Sequence, residues 1–356
     1  MSAAGEGGRT RDAGPLVPRG AAGEGGARSP LARTAGWIVR IGLTLGVTWL
    51  LVRQVGLGLD EVVSRDALPA PSAVWALGAS VGALLVAFGL ASWAWGWMVR
   101  DLGQPSPGPL ACIRIVLTAN LGRYVPGKVW QIAGLALLAR RAGVPGTTAT
   151  AAAVLGQLFH LAGAGAVGLL LLAVGRGDGA GWRVLGDTGV LIGAGALTMA
   201  LVLASIPGVV RRGLALAYRF AGIGAEAVPR PDPLFGPRWI LLHAGIWLVY
   251  GVAFALLVRG FGLELPLLMA ISAFAAAYLL GYLALFAPAG IGVREGVLIA
   301  LLQPQLGTGA VGVAVIARLW MTLVEVIPAG AMALWEIFRR RRAGGGFTSP
   351  QREDHG

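Results

Sequence analysis

Long apolar segments follow one another along this chain, and they constrain its fold more than any other feature. Seven are long, at about 35–52, 73–99, 148–174, 188–206, 238–258, 266–287 and 309–338, and two at about 109–139 and 293–306 are shorter or interrupted. Apolar runs of about 18 or more residues are typical of helices that cross the hydrocarbon core of a bilayer. The sequence therefore predicts an all-α, polytopic transmembrane helix bundle.

The composition excludes a soluble enzyme. Hydrophobic residues make up 56% of the chain and charged residues only 13%, whereas a soluble domain carries about 25% charged residues. The 57 glycines would weaken soluble helices, but membrane helices use glycine for close packing. The net charge of +12 indicates cytoplasmic loops and contact with anionic lipid headgroups rather than nucleic-acid binding.

Three regions follow from the distribution of residue types. Residues 1–34 are rich in Gly, Ala, Arg and Pro without hydrophobic periodicity, which predicts a disordered cytoplasmic tail. Residues 35–338 form the predicted transmembrane domain, and residues 339–356 form a basic, disordered tail that begins with four arginines. Loops with excess arginine place both termini in the cytoplasm of a multi-pass protein of the cell membrane.

Few residues suit the common cofactor sites. Cys112 is the single cysteine, which excludes an internal disulfide, and His160, His243 and His355 are too far apart in sequence to suggest a ligand pair. The sequence shows no acidic cluster for a metal with a nucleotide sugar, no Ser-His-Asp spacing and no Gly-Lys-Ser/Thr phosphate loop. We therefore expect no cofactor, no metal and no self-contained enzyme site.

Two interrupted segments are predicted to be hairpins that dip into the membrane from opposite faces. The loop orientations require segments 109–139 and 266–308 each to enter and leave on one side. Their helix-breaking tips contain Pro126 and Pro288, which are 162 positions apart (288 − 126). The same offset relates segment 73–99 to 235–261 and 148–174 to 310–336. This pattern indicates an inverted repeat with a midplane site, or coincidence among evenly spaced helices.

Cations near the first tip predict an anion-binding site. Arg123 and Lys128 bracket the Pro126-Gly127 break, and Asn120 precedes them. A helix that restarts after the break points free backbone N–H groups at the tip, where phosphate binds well. The alternative is a cytoplasmic loop that contains two cations.

The second tip and the last span carry further ionisable side chains. Gly290 and Gly292 permit unusual backbone angles after Pro288. Arg294 and Glu295 start the next helix, where Glu295 can cap the N-terminus and both can contact a substrate.

In the last span, Arg318 and Glu325 stand seven residues apart on one face, where they form structural ion pairs or line a wet cavity. On the matching span of the first half, Gln157 and His160 form a milder polar patch, and packing is the favoured role of His160.

At the two hairpins the sequence resembles the lysylphosphatidylglycerol synthase transmembrane-region family, also described as flippase-like integral membrane proteins. The resemblance covers about residues 35–338 and implies an eight-helix-type bundle with re-entrant segments, associated with lipid translocation. Its two-part members add a soluble aminoacyl transferase domain, which we do not expect here, so lysyl-lipid synthesis is not implied. Many relatives carry an acid where Gln157 stands. The residues that carry the resemblance are Asn120, Arg123, Pro126, Gly127, Lys128, Trp130, Pro288, Gly290, Gly292, Arg294, Glu295, Gly296 and Arg318.

Three functions remain open at this point. The leading hypothesis is a translocator in which Arg123, Lys128 and Arg294 neutralise the phosphate of a phospholipid or polyprenyl-phosphate lipid. A proton-coupled exporter of a small solute would use Glu295 or Glu325 as proton carrier, without a lateral opening toward lipid. A non-catalytic partner would instead support a membrane glycosyl- or aminoacyl-transferase. The expected partners are anionic membrane lipids and, in the last case, that transferase, but no nucleic acid.

Overall fold

A computed structural model of the chain describes residues 71–124, 129–174, 188–220, 222–284, 290 and 292–344. They belong to one compact unit, Thr44–Gly356. The predicted tail at 1–34 and the first apolar segment at 35–52 lie outside the described residues. In the described ranges the secondary structure is helical, without a strand, which confirms the all-α class.

Ten α-helices occupy the described ranges, and most coincide with a predicted apolar segment. The last one continues past the predicted domain boundary at 338. The helices are α1 (Pro71–Asp101), α2 (Pro109–Asn120), α3 (Val129–Arg141), α4 (Gly146–Val174), α5 (Thr188–Ala204), α6 (Pro207–Phe220), α7 (Phe235–Gly260), α8 (Leu267–Leu283), α9 (Val293–Leu306) and α10 (Gly309–Gly344).

Four of these helices, α1, α4, α7 and α10, are long and apolar enough to cross a membrane. Residues of α5 and α6 make a fifth candidate, whose two parts are bent by 71° at the short break between them. Each of the four long helices spans more than 30 Å at 1.5 Å per residue, which matches the thickness of the hydrocarbon core of about 30 Å. The chain is a multi-pass membrane protein.

Helices α1 and α7 pack side by side in opposite directions. The hydroxyl of Ser80 donates a 2.8 Å hydrogen bond to the carbonyl of Ala253, in the middle of the pair. At one end, the guanidinium of Arg238 at the start of α7 lies 2.5 Å from the carboxylate of Asp101 at the end of α1. The 162-residue offset makes these two helices equivalent. Because equivalent helices run antiparallel, the axis that relates the two halves lies in the membrane plane.

The two predicted hairpins are present as helix pairs. In α2 and α3, the amide of Gln131 donates a 2.7 Å hydrogen bond to Oδ1 of Asn120, next to the turn. In α8 and α9, Arg294 packs so closely on Gly281 that a Cβ added there would lie 2.8 Å from Cβ of Arg294. With 12 and 13 residues, α2 and α3 are about 18–20 Å long, too short to cross the bilayer.

Helix directions show that the hairpins enter from opposite faces. Helix α8 runs antiparallel to both α7 and α4, so α4 runs opposite to α1, and the α2–α3 pair returns to the side on which it began. It begins at the end of α1, whereas α8 begins at the end of α7, on the other face. The contacts that set these directions are Gly251–Ile271 and Trp247–Tyr278 between α7 and α8, and Gly168–Ala276 and His160–Tyr278 between α4 and α8.

The order in which the helices pack supports the inverted repeat that the hydropathy pattern indicates. Helix α1 packs on α2, α2 on α3 and α3 on α4, and the same order recurs as α7 on α8, α8 on α9 and α9 on α10. Moved by 162 positions, 129–141 becomes 291–303 and 146–174 becomes 308–336, close to the bounds of α9 and α10. The described fold is therefore an inverted repeat with two opposed hairpins.

Basic residues gather on the face where α1 ends. The loops after α1 and α3, the region between α5 and α7, and the C-terminal end of α10 all lie on that face. The opposite face carries the α7–α8 loop, with Arg259 and Glu264. The arginines of the first face are Arg100, Arg140, Arg141, Arg211, Arg212, Arg219, Arg230, Arg238 and the run Arg339–Arg342.

Candidate functional site

A cavity of about 230 Å³ lies where the two halves meet. Helices of both halves enclose it, so neither half forms it alone. Among the described residues around it, none is Lys, Arg, Asp or Glu. Its polar lining consists of Asn120, Gln131, Gln157, His160, His243, Tyr250, Tyr278 and Tyr282, and its apolar lining includes Phe88, Trp95, Leu135 and Met321.

The first hairpin contributes the end of α2 and the start of α3 to the lining of this cavity. Asn120 is the last residue of α2, Gln131 lies in the first turn of α3, and their 2.7 Å hydrogen bond closes the end of the hairpin. A close approach of backbones at Gly122 makes this possible, because a Cβ there would lie 2.7 Å from the nitrogen of Gln131. The predicted site residue Asn120 thus lines the central cavity.

Two histidines from different halves face each other in the cavity wall. Nδ1 of His160 lies 3.4 Å from Nδ1 of His243, and the indole of Trp247 donates a 2.8 Å hydrogen bond to the carbonyl of His160. The rings of Tyr250 and Tyr278 pack around His160 at 6.0 and 5.5 Å between centroids. These two histidines are 83 positions apart in the sequence, and the packing of α4 on α7 brings them together.

Three polar atoms in this wall have no hydrogen-bond partner among the described residues. They are Nε1 of Trp95, Nε2 of Gln157 and Nε2 of His243, and all three atoms are buried. A buried amide or imidazole nitrogen without a partner costs about 1–3 kcal/mol. A ligand in the cavity that accepts or donates hydrogen bonds would remove that cost.

Arg294 of the second hairpin lies just behind the cavity wall. Its guanidinium carbon is 4.8 Å from the ring centre of Phe274 and 5.5 Å from that of Tyr278. Nη1 of Arg294 contacts the sulfur of Met321 at 3.0 Å. Tyr278 and Met321 line the cavity, so a predicted cation stands one side chain away from it.

Glu295 connects the second tip to the last span. Its Oε2 accepts a 2.7 Å hydrogen bond from the backbone N–H of Gly292, which closes a cap at the start of α9. Its Oε1 lies 3.6 Å from Nη1 of Arg318 in α10. The predicted cap is thus present. Glu325 is 1% exposed and lies two turns after Arg318 on the same helix.

The structure places the remaining predicted residues as follows. Gly290 and Gly292 have φ values of +73° and +84°, which fits their predicted backbone role. The backbone of Arg123 lies in a short 3₁₀ helix, Leu121–Tyr124, that continues α2. The positions of Pro126, Gly127, Lys128 and Pro288, and the side chain of Arg123, lie outside what the structure describes.

An open apolar cleft of about 800 Å³ lies on the other side of α3 and α4. Its floor is made of small residues such as Ala133, Ala136 and Gly213, and its walls contain Leu137 and Phe220, which are 53% and 84% exposed. Arg140, Thr147, Thr150 and Tyr218 supply its polar groups. Helices α3 and α4 line both spaces, so the cleft and the central cavity border the same helix pair.

The part of the chain that matches a known protein family contains both hairpins and the long spans, apart from the end of α10. The sequence profile of the family described as "Lysylphosphatidylglycerol synthase TM region" matches residues 37–329, which is most of the chain. The chain belongs to this family. No curated protein and no solved structure matches the chain. Membership in the lysylphosphatidylglycerol synthase transmembrane-region family supports a function related to membrane lipid.

In this family member, several cavity residues could not be singled out in advance. The site predicted from the sequence does not include His243, Tyr250, Tyr278 and Tyr282, and the sequence leaves the roles of Gln157 and His160 open. A signal was present on α7 and α8: positions 243, 247 and 250, and positions 278 and 282, repeat at helical spacing within otherwise apolar runs. Among the described residues, no group of three His, Cys, Asp or Glu side chains is arranged to hold a metal ion.

Proposed function

We propose that this protein moves a phosphate-bearing lipid, of the phospholipid or polyprenyl-phosphate type, between the two leaflets of the membrane. The observation that carries the proposal is the central cavity between two hairpins that enter from opposite faces. A site formed by broken helices near the midplane can be reached from either side when one half rocks against the other.

The apolar cleft favours a lipid over a small solute. A lipid needs a polar route for its headgroup beside an apolar route for its chains. The cleft between α3, α4 and α6 is open and apolar, and it lies against the helix pair that lines the cavity. A solute exporter has no use for such an opening, so the alternative of a proton-coupled exporter loses support.

In this proposal, cationic side chains bind the phosphate of the lipid. Arg294 contacts Tyr278 and Met321, and both of these residues line the cavity. Arg123 and Lys128 belong to the tip whose flanking residues, Asn120 and Gln131, line the cavity. Guanidinium groups suit phosphate, because they donate several hydrogen bonds from a plane.

The remaining expectations belong to the same proposal. The basic face, with Arg140, Arg211 and the run Arg339–Arg342, is assigned to the cytoplasm, which places the C-terminus there and, by the predicted topology, the N-terminus too. We place the protein in the cell membrane. The protein acts as a transporter without catalytic chemistry, and a transferase that makes its lipid is the proposed partner besides the lipid itself.

A reconstituted transport assay tests this function. The purified full-length chain is placed in vesicles with fluorescent phosphatidylglycerol, and a membrane-impermeant reductant reports how fast the probe changes leaflet. We expect faster exchange than in protein-free vesicles, and a loss of most of that exchange in Arg294→Ala. Arg259→Ala is the matched control, because Arg259 is an exposed arginine on the α7–α8 face.

Outcomes of this assay separate the hypotheses. Exchange that needs a proton gradient and is lost in Glu325→Gln would favour the coupled exporter. Exchange no faster than in empty vesicles, with a stable complex between this chain and a membrane transferase, would favour the scaffold. Equal exchange in Arg294→Ala and wild type would remove Arg294 from the phosphate site.

A further inference from the structure

The lining of the central cavity has the chemistry of a site for hydroxyl groups. Its lining residues include three with amide side chains, Asn120, Gln131 and Gln157, and the tyrosines Tyr278 and Tyr282. Such groups donate and accept hydrogen bonds without carrying charge. Aromatic rings complete the wall, and they pack against the apolar C–H faces of a polyol.

Each half of the repeat contributes a buried polar atom to the cavity wall that lacks a hydrogen-bond partner among the described residues. Nε2 of Gln157, on α4, and Nε2 of His243, on α7, are buried without a hydrogen-bond partner among the described residues. His243 is 4% exposed, so bulk water does not reach it freely. An amide nitrogen only donates, whereas an imidazole nitrogen donates or accepts according to its tautomer. A hydroxyl group satisfies both cases, because it can do either.

A headgroup amine fits this cavity poorly. None of the described residues that line it is Asp or Glu, so an ammonium group would lack a counter-charge there. The guanidinium of Arg294 stands 5.5 Å from the ring centre of Tyr278 and already occupies a face of that ring. Glu295, the nearest acid in sequence, caps α9 and faces Arg318. A second cation beside Arg294 would be repelled at low dielectric.

The volume limits the size of the group. About 230 Å³ is smaller than the clefts of about 300–1,000 Å³ that hold drug-sized ligands. It is suited to one small polyol, such as a glycerol unit or a single ring, rather than to an oligosaccharide.

We infer that the cavity selects lipids whose headgroup, beyond the phosphate, ends in a small uncharged polyol, and that it rejects headgroups that end in an amine. This inference rests on the proposed function and sharpens it, because it names the substrate class. It divides phospholipids that share one phosphate and the same acyl chains into two groups, according to whether the headgroup ends in a polyol or an amine.

Lipid binding to the purified full-length chain tests the inference without any need for transport. Native mass spectrometry is carried out with equimolar lipids of matched acyl chains: phosphatidylglycerol and phosphatidylinositol as polyols, phosphatidylethanolamine and lysylphosphatidylglycerol as amines. We expect each polyol lipid to bind about fivefold or more better than either amine lipid, the ratio that one net hydrogen bond supplies. Whether the glycerol or the ring lipid binds better identifies which polyol the site prefers.

Two variants test whether the preference for polyol lipids arises in the cavity or elsewhere in the protein. Gln157→Leu removes a buried donor that has no partner among the described residues, so we expect a thermal stability equal to or higher than that of the wild type, together with a loss of the polyol preference. Gln303→Leu is the matched control, because Gln303 is exposed on α9 and does not line the cavity; it should keep the preference.

Equal or better binding of the amine lipids would overturn the inference, as would a polyol preference that survives in Gln157→Leu. Selective binding without exchange in vesicles would instead contradict the proposed function and leave the inference standing.

Discussion

Oε1 of Glu295 lies 3.6 Å from Nη1 of Arg318, and both side chains are 7% exposed. The pair joins the start of α9, at the second tip, to the middle of α10. Glu295 also accepts the N–H of Gly292 through its other oxygen, so one carboxylate holds the turn and the span together. Buried charges in a membrane are expensive, and they are tolerated when each faces an opposite charge.

Two substitutions separate the contribution of the negative charge of Glu295 to stability from that of its hydrogen bond to Gly292. Glu295→Gln keeps an acceptor for Gly292 but removes the charge, whereas Glu295→Ala removes both. We expect Glu295→Gln to lower stability by about 3–5 kcal/mol, since it leaves Arg318 with one buried counter-charge fewer, and Glu295→Ala to lower it by about 1 kcal/mol more. Thermal unfolding in detergent measures both. Additive losses in Glu295→Gln with Arg318→Met would show that the two side chains are not coupled.

The two glycines of the second tip should respond differently to alanine. At Gly290 the φ of +73° is combined with close contact, because a Cβ would lie 2.7 Å from the carbonyl oxygen of Gly281. At Gly292 the φ of +84° is combined with open space. We expect Gly292→Ala to cost about 1–2 kcal/mol, the price of a left-handed residue, and Gly290→Ala to cost clearly more. Unfolding temperatures of the two variants that agree would contradict this account of the tip.

Filling the cleft with a larger side chain tests whether it holds the acyl chain of the lipid. Gly213 lines the cleft and a Cβ there meets nothing within 4 Å, so we expect the side chain of Gly213→Phe to enter the cleft and occupy part of it. Gly208 on the same helix has equal room but does not line the cleft, which makes Gly208→Phe the control. We expect Gly213→Phe to abolish labelling of α3 and α4 by a lipid with a photoreactive acyl chain. Labelling that persists there would show that the chain of the lipid lies elsewhere.

Orientation in the membrane can be measured with single cysteines in a Cys112→Ser background. Ala142, after α3, and Glu264, between α7 and α8, are both exposed and lie on opposite faces. An impermeant maleimide added to intact cells should label Glu264→Cys at once and Ala142→Cys only after permeabilisation. The reverse order would place the arginine-rich face outside the cell.

Much of this fold could be predicted from local sequence properties. Hydropathy marked the long spans, the Pro126 and Pro288 breaks marked the hairpins, and an acid three residues after Gly292 marked the cap of α9. These features depend on residues that are close in the chain. The offset between the halves followed from the same hydropathy profile.

The composition of the cavity could not be predicted in the same way. His160 and His243 are 83 positions apart and meet only because α4 packs on α7. In a lipid environment both faces of α4 and α8 are apolar, so periodicity does not indicate which face is buried. The prediction had placed charged residues at the centre, whereas the described lining is neutral and Arg294 stands behind it.

Lipid exchange in vesicles that contain a cavity-blocked variant tests the central claim most directly. Gly156 lines the cavity with open space around its Cα, so Gly156→Phe should fill the route of the headgroup, whereas Gly78→Phe adds the same ring to the exposed side of α1. We predict rapid exchange of phosphatidylglycerol with wild type and Gly78→Phe, and the rate of protein-free vesicles with Gly156→Phe. Exchange by folded Gly156→Phe at the wild-type rate would contradict a path through this cavity.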